Sequence, residues 1–577
     1  MTRAFRPYPF AAARHDAVLP PLRDGVDARR RRAVVVVGAG PVGYCTALGL
    51  VRHGVPVVLV EADEGVCFGS RAICISRRSL EIIERLGALP GFLATGLPWT
   101  GGRSYYRDAE VLRFTMPQDE NQKLPPMINL AQYSIEHLLL QQAEARRGLI
   151  DIRWQTRVTA IDARDDGVRL TLATPQGGYA IDADWVVAAD GGRSFVRESL
   201  GLQLQGTSYE GRYVIVDILM DSARPTERLA YFDPPCNPGS TVLVHKQPGG
   251  VWRIDYQLRD GEDPDAAIRP ENVEPRVASL LAMMGETADW SPIWTGIYKA
   301  NALTLERYRH GRVLFAGDAA HLLPIFGVRG ANSGIDDADN LAWKLAFVVR
   351  GLASERLLDS YSEERVAAAH ENLSHGTKST EFMAPPSFAF RLMREAVLGL
   401  AVKHAEVRSL INPRQTSAIA YRGSRLNTAA EASASLDAGP APGTVLPECP
   451  LTVVRDGSAR SGHVTDLLAA GFTAFFFGDG AAVPAPLRDL QRRLADEGVP
   501  FALVPIGRRP GPMVAGVQAW DASGRLFPMY GAEASAVYLV RPDGHVAARW
   551  RKADADAVHT AVHHVLQAPG GAGASDE

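Results

Sequence analysis

The sequence predicts an α/β chain in three parts: a dinucleotide-binding βαβ unit, a separate antiparallel sheet, and a compact C-terminal α/β unit. Three observations carry this. An apolar, β-branched run at 33–37 leads directly into Gly38-Ala39-Gly40-Pro41-Val42-Gly43. From about 203 to 300 the chain alternates with period two, as in 241–245 and 251–257. An Ala-, Ser-, Gly- and Pro-rich stretch at 428–447 then separates a last segment with its own strand and helix patterns.

At 577 residues the chain is long enough for about three domains. Residues 1–30 read as a leader, its basic end preceding a buried strand and not forming a signal peptide. Residues 33–37 carry no polar interruption, the pattern of a strand buried on both faces of a parallel sheet. The glycine turn follows, then a helix over 44–53 ending near Gly54, then a second buried strand at 57–60. Helices are predicted at 78–86 and 134–145, strands between 151 and 189, and a returning buried strand at 312–316. A long helical region starts near Ser333 and includes 341–350. This divides the chain into a cofactor domain with a helical extension (31–200 and 301–427), a substrate sheet (201–300), a linker (428–447), a terminal domain (448–568) and a disordered tail (569–577). In the terminal domain, 474–477, 501–504 and 536–540 read as strands, 484–497 and 555–566 as helices, and Pro542-Asp543-Gly544 as a hairpin turn.

Composition narrows the function classes. The formal net charge of −3 gives no basic excess for nucleic acid or an anionic membrane surface. No uninterrupted apolar run approaches the ~18 residues of a membrane span. The five cysteines are scattered, none in C-x-x-C, so free thiols, a reducing cytoplasmic setting and no metal are expected.

The glycine turn has specific chemistry. Gly38 permits the turn, Gly40 lets backbone approach a pyrophosphate, and Gly43 lets helix and strand pack closely. Pro41 and Val42 open the helix, whose free N–H groups and positive dipole end face the phosphates. Glu61 ends the second strand and is placed to accept from a ribose 2′-OH. It would repel a 2′-phosphate, so the site suits FAD or NAD and not NADP.

Two further segments end strands: Ala188-Ala189-Asp190-Gly191-Gly192-Arg193 and Leu314-Phe315-Ala316-Gly317-Asp318-Ala319-Ala320-His321. Pro324, Gly327, Gly330, Asn332, Gly334, Asp337 and Asn340 follow. With the glycine turn, this set closely resembles the group A, single-component FAD-dependent aromatic hydroxylases. These include the phenol, chlorophenol, hydroxybenzoate and 3-(3-hydroxyphenyl)propionate hydroxylases. The resemblance spans about 32–400. The terminal domain is similar to the thioredoxin-like domain of the phenol hydroxylase branch.

The resemblance implies a Rossmann-like FAD-binding domain with an antiparallel substrate sheet. It implies FAD as cofactor, NADH or NADPH and O₂ as co-substrates, and a small aromatic substrate. It makes Gly317-Asp318 the second FAD motif, its carboxylate on ribityl or ribose hydroxyls. Asp190 falls in a motif tied to the FAD pyrophosphate and NAD(P)H, Arg71 in the position of a flavin-contacting arginine, and Gln132 near the phosphates. The turn from Pro324 to Gly330, Ala331 and Asn332 would hold the isoalloxazine, its backbone N–H groups stabilising negative charge. The family pattern there is roughly G-Q-G-x-N. Here Arg329 intrudes and the glutamine is missing, which leaves Arg329 open between a flavin-side role and a surface or salt-bridging one.

The implied cycle passes hydride to flavin N5, adds O₂ at C4a, and transfers the distal oxygen of that hydroperoxide to the ring. It needs a dry pocket and an acceptor near the phenol OH. Only one strong dinucleotide fingerprint is present, so NAD(P)H is expected to bind transiently. Substrate-side candidates are His245, Tyr231, Tyr256, Gln257, Pro324 and Phe326. Along 251–257, Trp252, Ile254 and Tyr256 share one face and Arg253, Asp255 and Gln257 the other. Which face meets the flavin stays open. The terminal domain lacks C-x-x-C, so it reads as structural or as part of a homodimer contact. Other readings stay open: a same-fold monooxygenase for a larger polycyclic or polyketide substrate, a flavin-free NAD-dependent dehydrogenase, and a non-catalytic flavin-binding protein.

Overall fold

Strands with no polar residue must be covered on both sides, and this chain supplies several. In the computed structural model, which describes residues 6–7, 10–29, 31–259, 261–411, 415–428, 436, 438–480, 482–552 and 554–567, Arg32–Val37 lies inside a parallel sheet. The parallel order is Ile150–Arg153, Val57–Val60, Arg32–Val37, Gly177–Ala188 and Val313–Phe315. The register matters for function. Val37 lies beside both Val60 and Ala188, and Ala188 beside Phe315. The segments starting at Gly38, Glu61, Ala189 and Ala316 therefore leave the sheet at one edge, where α/β sheets bind ligands. The helix Pro41–Arg52 carries the first turn, and Gly330–Val349 packs against it.

The segment before the first strand is not featureless. Leu22–Arg23 and Val26–Asp27 form a short hairpin that joins the same sheet. Asp27 is buried against Arg153 at 2.6 Å, and His15 stacks on Trp154. Burial of one charged pair and one ring fixes a stretch whose sequence shows no periodicity. Residues 1–5, 8–9 and 30 of this leader, most of the linker's first half, and the tail at 569–577 lie outside the described residues.

The second sheet has eight strands, in the order His321–Leu322, Trp290–Thr304, Gln205–Met220, Val251–Gln257, Thr241–Lys246, Arg228–Phe232, Gly101–Tyr106 and Ala109–Thr115. It is wider than the 201–300 segment and is not wholly antiparallel. The hairpin at 101–115 enters from the front of the chain, and Arg228–Phe232 pairs with Gly101–Tyr106 in parallel. That hairpin is an edge, half-exposed and weakly patterned, which is why its sequence does not announce strands. The helix Pro270–Met283 covers one face, burying Trp252, Ile254 and Tyr256 with Val273, Val277 and Leu280.

The terminal region forms a seven-stranded mixed sheet from Pro450–Arg455 to Val546–Trp550, with Ala485–Asp496 and Ala555–Gln567 packed on it. Trp343, Phe347 and Leu357 of the cofactor unit enter that core. Beside them sits a fully buried charge cluster. Arg541 donates twice to Glu364, at 2.6 and 2.9 Å, and Lys344 donates to Glu364 at 2.7 Å. Pro542-Asp543-Gly544 is the expected hairpin turn, joining the antiparallel strands Val537–Val540 and Val546–Trp550, and Asp543 within it is buried at the contact with the cofactor unit. Its carboxylate accepts from Trp343 Nε1 at 3.1 Å, and Arg78 donates to its carbonyl at 2.7 Å. On the outer side, Glu497, His559 and His563 lie together, with the Nε2 of each histidine 2.8–3.0 Å from the carboxylate. Sequence spacing hides this because Glu497 sits on another helix end. No helix among the described residues is long and apolar enough to cross a membrane.

Candidate active site

The edge of the first sheet and one face of the second enclose a cavity of about 1160 Å³. That exceeds the ~300–1,000 Å³ of an ordinary small-ligand pocket and leaves room for a dinucleotide and a second molecule.

The first wall is backbone. Gly38 has φ +99°, and a Cβ there would lie 2.5 Å from the Ala189 carbonyl oxygen. At Gly43 a Cβ would fall 1.8 Å from the Gly38 carbonyl oxygen, so any side chain pushes helix and turn apart. Pro41–Arg52 starts with no side-chain cap and no acidic residue in its first turn, leaving its N–H groups for an anion. Glu61 accepts from Ala39 N at 2.7 Å and Asp63 N at 2.9 Å, which locks the carboxylate beside the turn. Burial raises its pKa, partly offset by these N–H bonds.

The second wall carries acidic groups. Asp318 is deep inside the protein, yet its carboxylate is open to the cavity. Burial raises its pKa, and His321 and Arg71 oppose the rise. Asp190 lines the cavity and accepts from Val196 N at 3.1 Å through one oxygen. Arg71 projects into the cavity from a loop that Gln132 fastens: Gln132 accepts from Ala72 N and donates to Glu136. Gly330 and Ala331 present the uncapped start of Gly330–Val349. Open acceptors, free N–H groups and a glycine cradle fit the ribityl chain, pyrophosphate and ring edge of FAD.

The third wall is the uncovered face of the second sheet. Ile215, Leu243, Arg228, His245, Arg253 and Asp255 line it, with Trp294, Ile297 and Tyr298 from the next strand. So Arg253 and Asp255 face the cavity, and Trp252, Ile254 and Tyr256 do not. Arg253 Nε donates to Asp255 at 2.9 Å, and its Nη1 donates to the carbonyls of Ser70 and Arg71. His245 is buried, and burial together with Arg228 and Arg253 holds its pKa well below the usual value.

Several expected residues stand behind the cavity. Tyr256 lies in the core beneath Arg276, and Tyr231 stacks on Tyr105 in that core. Gln257 ends its strand, outside the lining. Phe326 packs edge-on against Tyr213, and Pro324 abuts Gly376. Gly43 and Gly317 shape turns without lining the cavity. The Asn332 side chain is spent on Ser76 N, Ser79 Oγ, Cys74 O and Val328 O, pinning the helix to the neighbouring strand. Arg329, by contrast, is buried at the cavity lining beside Gly330 and donates to Asn372 Oδ1 at 2.8 Å, so it is not a surface residue. The residues missed in sequence are Arg228, Arg253, Asp255 and Glu136. A signal existed: charged residues at alternate positions of an otherwise apolar strand require a cavity or a partner on that face.

Asp337 holds the second motif in place. It accepts from Gly317 N at 2.9 Å, His321 Nε2 at 2.6 Å and Arg365 Nε at 2.6 Å. Burial raises its pKa, but His321 and Arg365 outweigh that and bring it to about 2. A carboxyl depressed in the folded state stabilises above its unfolded pKa and loses that stability as pH falls toward the folded one. Wild-type protein should therefore lose on the order of 2 kcal/mol between about pH 4 and about pH 2 that Asp337→Asn does not lose. Urea unfolding across that range measures the difference.

A βαβ unit with its phosphate turn, a second acidic strand end and a facing sheet define a flavin-nucleotide enzyme scaffold. A family model described as an FAD binding domain matches residues 31–375. The chain belongs to that family, within the group A FAD-dependent aromatic hydroxylases. The 3-(3-hydroxy-phenyl)propionate/3-hydroxycinnamic acid hydroxylase of Klebsiella pneumoniae (strain 342) is 32% identical over 362 residues, 61% of this chain and 62% of that protein. Its counterpart in Shigella sonnei (strain Ss046) is 30% identical over 388 residues, 67% of each chain. The match thus spans under two thirds of the Klebsiella relative. Among solved structures, aklavinone-11 hydroxylase with FAD and aklavinone has a TM-score of 0.71 at 27% identity, covering 93% of this chain and 99% of that one. The flavin-dependent monooxygenase PieE, with FAD and substrate, has a TM-score of 0.76 at 24% identity over 93% and 99%, a likeness of fold. Membership of an FAD-binding family removes the flavin-free dehydrogenase reading.

Proposed function

We propose that this protein is a monooxygenase that hydroxylates a phenolic compound at the expense of NAD(P)H and O₂. The observation that carries the reading is the meeting of two different surfaces at one cavity: phosphate- and polyol-binding groups on one side, a mixed polar and apolar sheet face on the other. Bound FAD supplies hydride acceptance and the activation of O₂. The chain's own residues do the rest. The turn at Gly38–Val42 and the start of Pro41–Arg52 hold the pyrophosphate, Glu61 a ribose, and Asp318 the ribityl hydroxyls. Gly330 and Ala331 direct N–H groups to the ring edge. Ile215, Leu243, Trp294 and Ile297 exclude water from the reacting ring. His245, held neutral, accepts the proton of the phenol OH in a hydrogen bond that makes the ring more electron-rich.

The relatives named for 3-(3-hydroxy-phenyl)propionate support a small phenolic substrate. The size of the cavity and the likeness to aklavinone-11 hydroxylase favour a polycyclic one as the second reading. We assign the terminal domain as thioredoxin-like and structural, since it lacks a redox cysteine pair. Exposed apolar side chains on Phe388–Ala401 (Phe388, Leu392, Met393, Leu400) support homodimerisation. Five unpaired cysteines support a cytoplasmic setting. The test is NADH and NADPH consumption by FAD-loaded protein over simple phenols, phenolic acids and polycyclic phenols. The expected result is substrate-stimulated oxidation with one oxygen atom added to the product. If none of the three groups stimulates oxidation or gains oxygen, the reading fails.

A further inference from the structure

We propose that the terminal domain binds a zinc-type dication through Glu497, His559 and His563. The proposal is independent of the hydroxylase reading, since none of the three lines the cavity. Helix geometry comes first. His559 and His563 are four residues apart on Ala555–Gln567, so they stack on one face, one turn apart. Val558, Val562 and Val565 of that helix are buried in the core, which leaves the two imidazoles on its flank. Their ring centroids are 4.3 Å apart. Glu497 is the C-cap residue of Ala485–Asp496, the helix packed alongside. Three ligand-bearing side chains from two helices thus meet at one point.

The distances fit a metal centre. His559 Nε2 lies 3.0 Å from Glu497 Oε1 and 3.3 Å from its Oε2, and His563 Nε2 lies 2.8 Å from Oε2. Metal bonds of about 2.0–2.1 Å to nitrogen and oxygen set neighbouring ligand atoms roughly 3.0–3.4 Å apart, so a small outward shift admits an ion. The donor set selects its class. Two imidazoles and a carboxylate suit zinc, copper or nickel, whereas magnesium and calcium prefer oxygen shells. The His559 side chain is 16% exposed and the other two are 32% exposed, which leaves a path in and room for water as a further ligand. Electrostatics agree. A carboxylate at a helix C-terminus meets the negative end of the dipole, an arrangement that a bound cation relieves. Arg493 relieves it only in part: its Nε is 3.5 Å from Glu497 Oε1, and its Nη1 turns to Asp556 at 3.3 Å. The competing arrangement is a metal-free clasp, in which both imidazoles donate to the carboxylate. Bound metal instead pins the last helix to its neighbour through coordinate bonds.

The experiment titrates FAD-loaded full-length protein, stripped of metal by a chelator, with Zn²⁺ in a calorimeter. One ion per chain should bind, and an excess of Mg²⁺ should not displace it. His559→Ala and His563→Ala should each weaken binding by at least about 10- to 100-fold, the loss that follows removal of a group that only orients a ligand. Glu497→Gln keeps an oxygen to accept from both imidazoles but loses the anionic ligand, and should weaken binding as much. His564→Ala should leave it unchanged, because that histidine bonds the Arg425 carbonyl at 2.8 Å. Zn²⁺ should also raise the thermal midpoint of the wild type and not of the three ligand variants. X-ray absorption of the zinc-loaded wild type requires no variant to fold, and should show two imidazoles and no sulfur around the metal. Absence of one-site binding by the wild type overturns the proposal and leaves the metal-free clasp. Binding that survives all three substitutions, or a zinc shell containing thiolate, overturns it by placing the metal elsewhere.

Discussion

Glu364→Ala is expected to lower the unfolding free energy by about 3–5 kcal/mol, since it strands the buried Lys344 ammonium and strips Arg541 of one of its two carboxylates. Glu364 accepts both arms of Arg541, the Lys344 ammonium and Asn340 Nδ2. Burial alone would raise its pKa, but Arg541 and Lys344 hold its carboxyl far below the usual range. Burial also brings the Lys344 ammonium down to about 8, so this lysine is charged at neutral pH only because its partner is present. With Glu364 gone, Arg541 retains Asp543, while Lys344 sits uncompensated between Trp343 and the second core. Glu364→Gln keeps the shape and some acceptor capacity, so its loss should be smaller. Urea unfolding of the three proteins at neutral pH orders them. Equal midpoints for wild type and Glu364→Ala would contradict the picture of a charge cluster joining the two units.

Asp318→Ala is expected to weaken FAD binding by about 10- to 100-fold, the worth of one or two hydrogen bonds to a charged acceptor. The carboxylate opens into the cavity and is held at a fixed height by Asp337, which clamps the neighbouring Gly317 N–H. Asp318→Asn keeps the volume and one acceptor, and should fall between the two. Flavin retained after desalting, followed by titration with added FAD, measures this. Full retention by Asp318→Ala would remove the carboxylate from the cofactor site. The two variants also separate two kinds of damage: Glu364→Ala should lose stability first, and Asp318→Ala should lose flavin with the fold intact.

The cofactor half of the site was readable because its chemistry is local in the chain. A strand end, a glycine turn and a helix start lie within a dozen residues, and Gly43 admits no side chain for a reason visible in the motif itself. Asp190 and Asp318 follow the same strand-end logic. The substrate half was not readable, because it depends on which face another element covers. Tyr256 and Arg253 sit on one strand, three residues apart on opposite faces. Only the packing of Pro270–Met283 decides that the tyrosine is core and the arginine is pocket. Asn332 and Phe326 illustrate the same gap. Both sit near the flavin turn in sequence, yet each is spent on internal packing. The hairpin at 101–115 was missed because an edge strand has no strict alternation to betray it.

The alternation along Val251–Gln257 has an evolutionary consequence. Arg253 and Asp255 face the cavity while Trp252, Ile254 and Tyr256 hold the core, so selectivity and packing are written on opposite sides of one strand. A single inserted or deleted residue would swap the two sets and turn Trp252 toward the flavin. Lineages built on this scaffold should therefore diversify in these strands by substitution alone and confine length changes to the connecting loops.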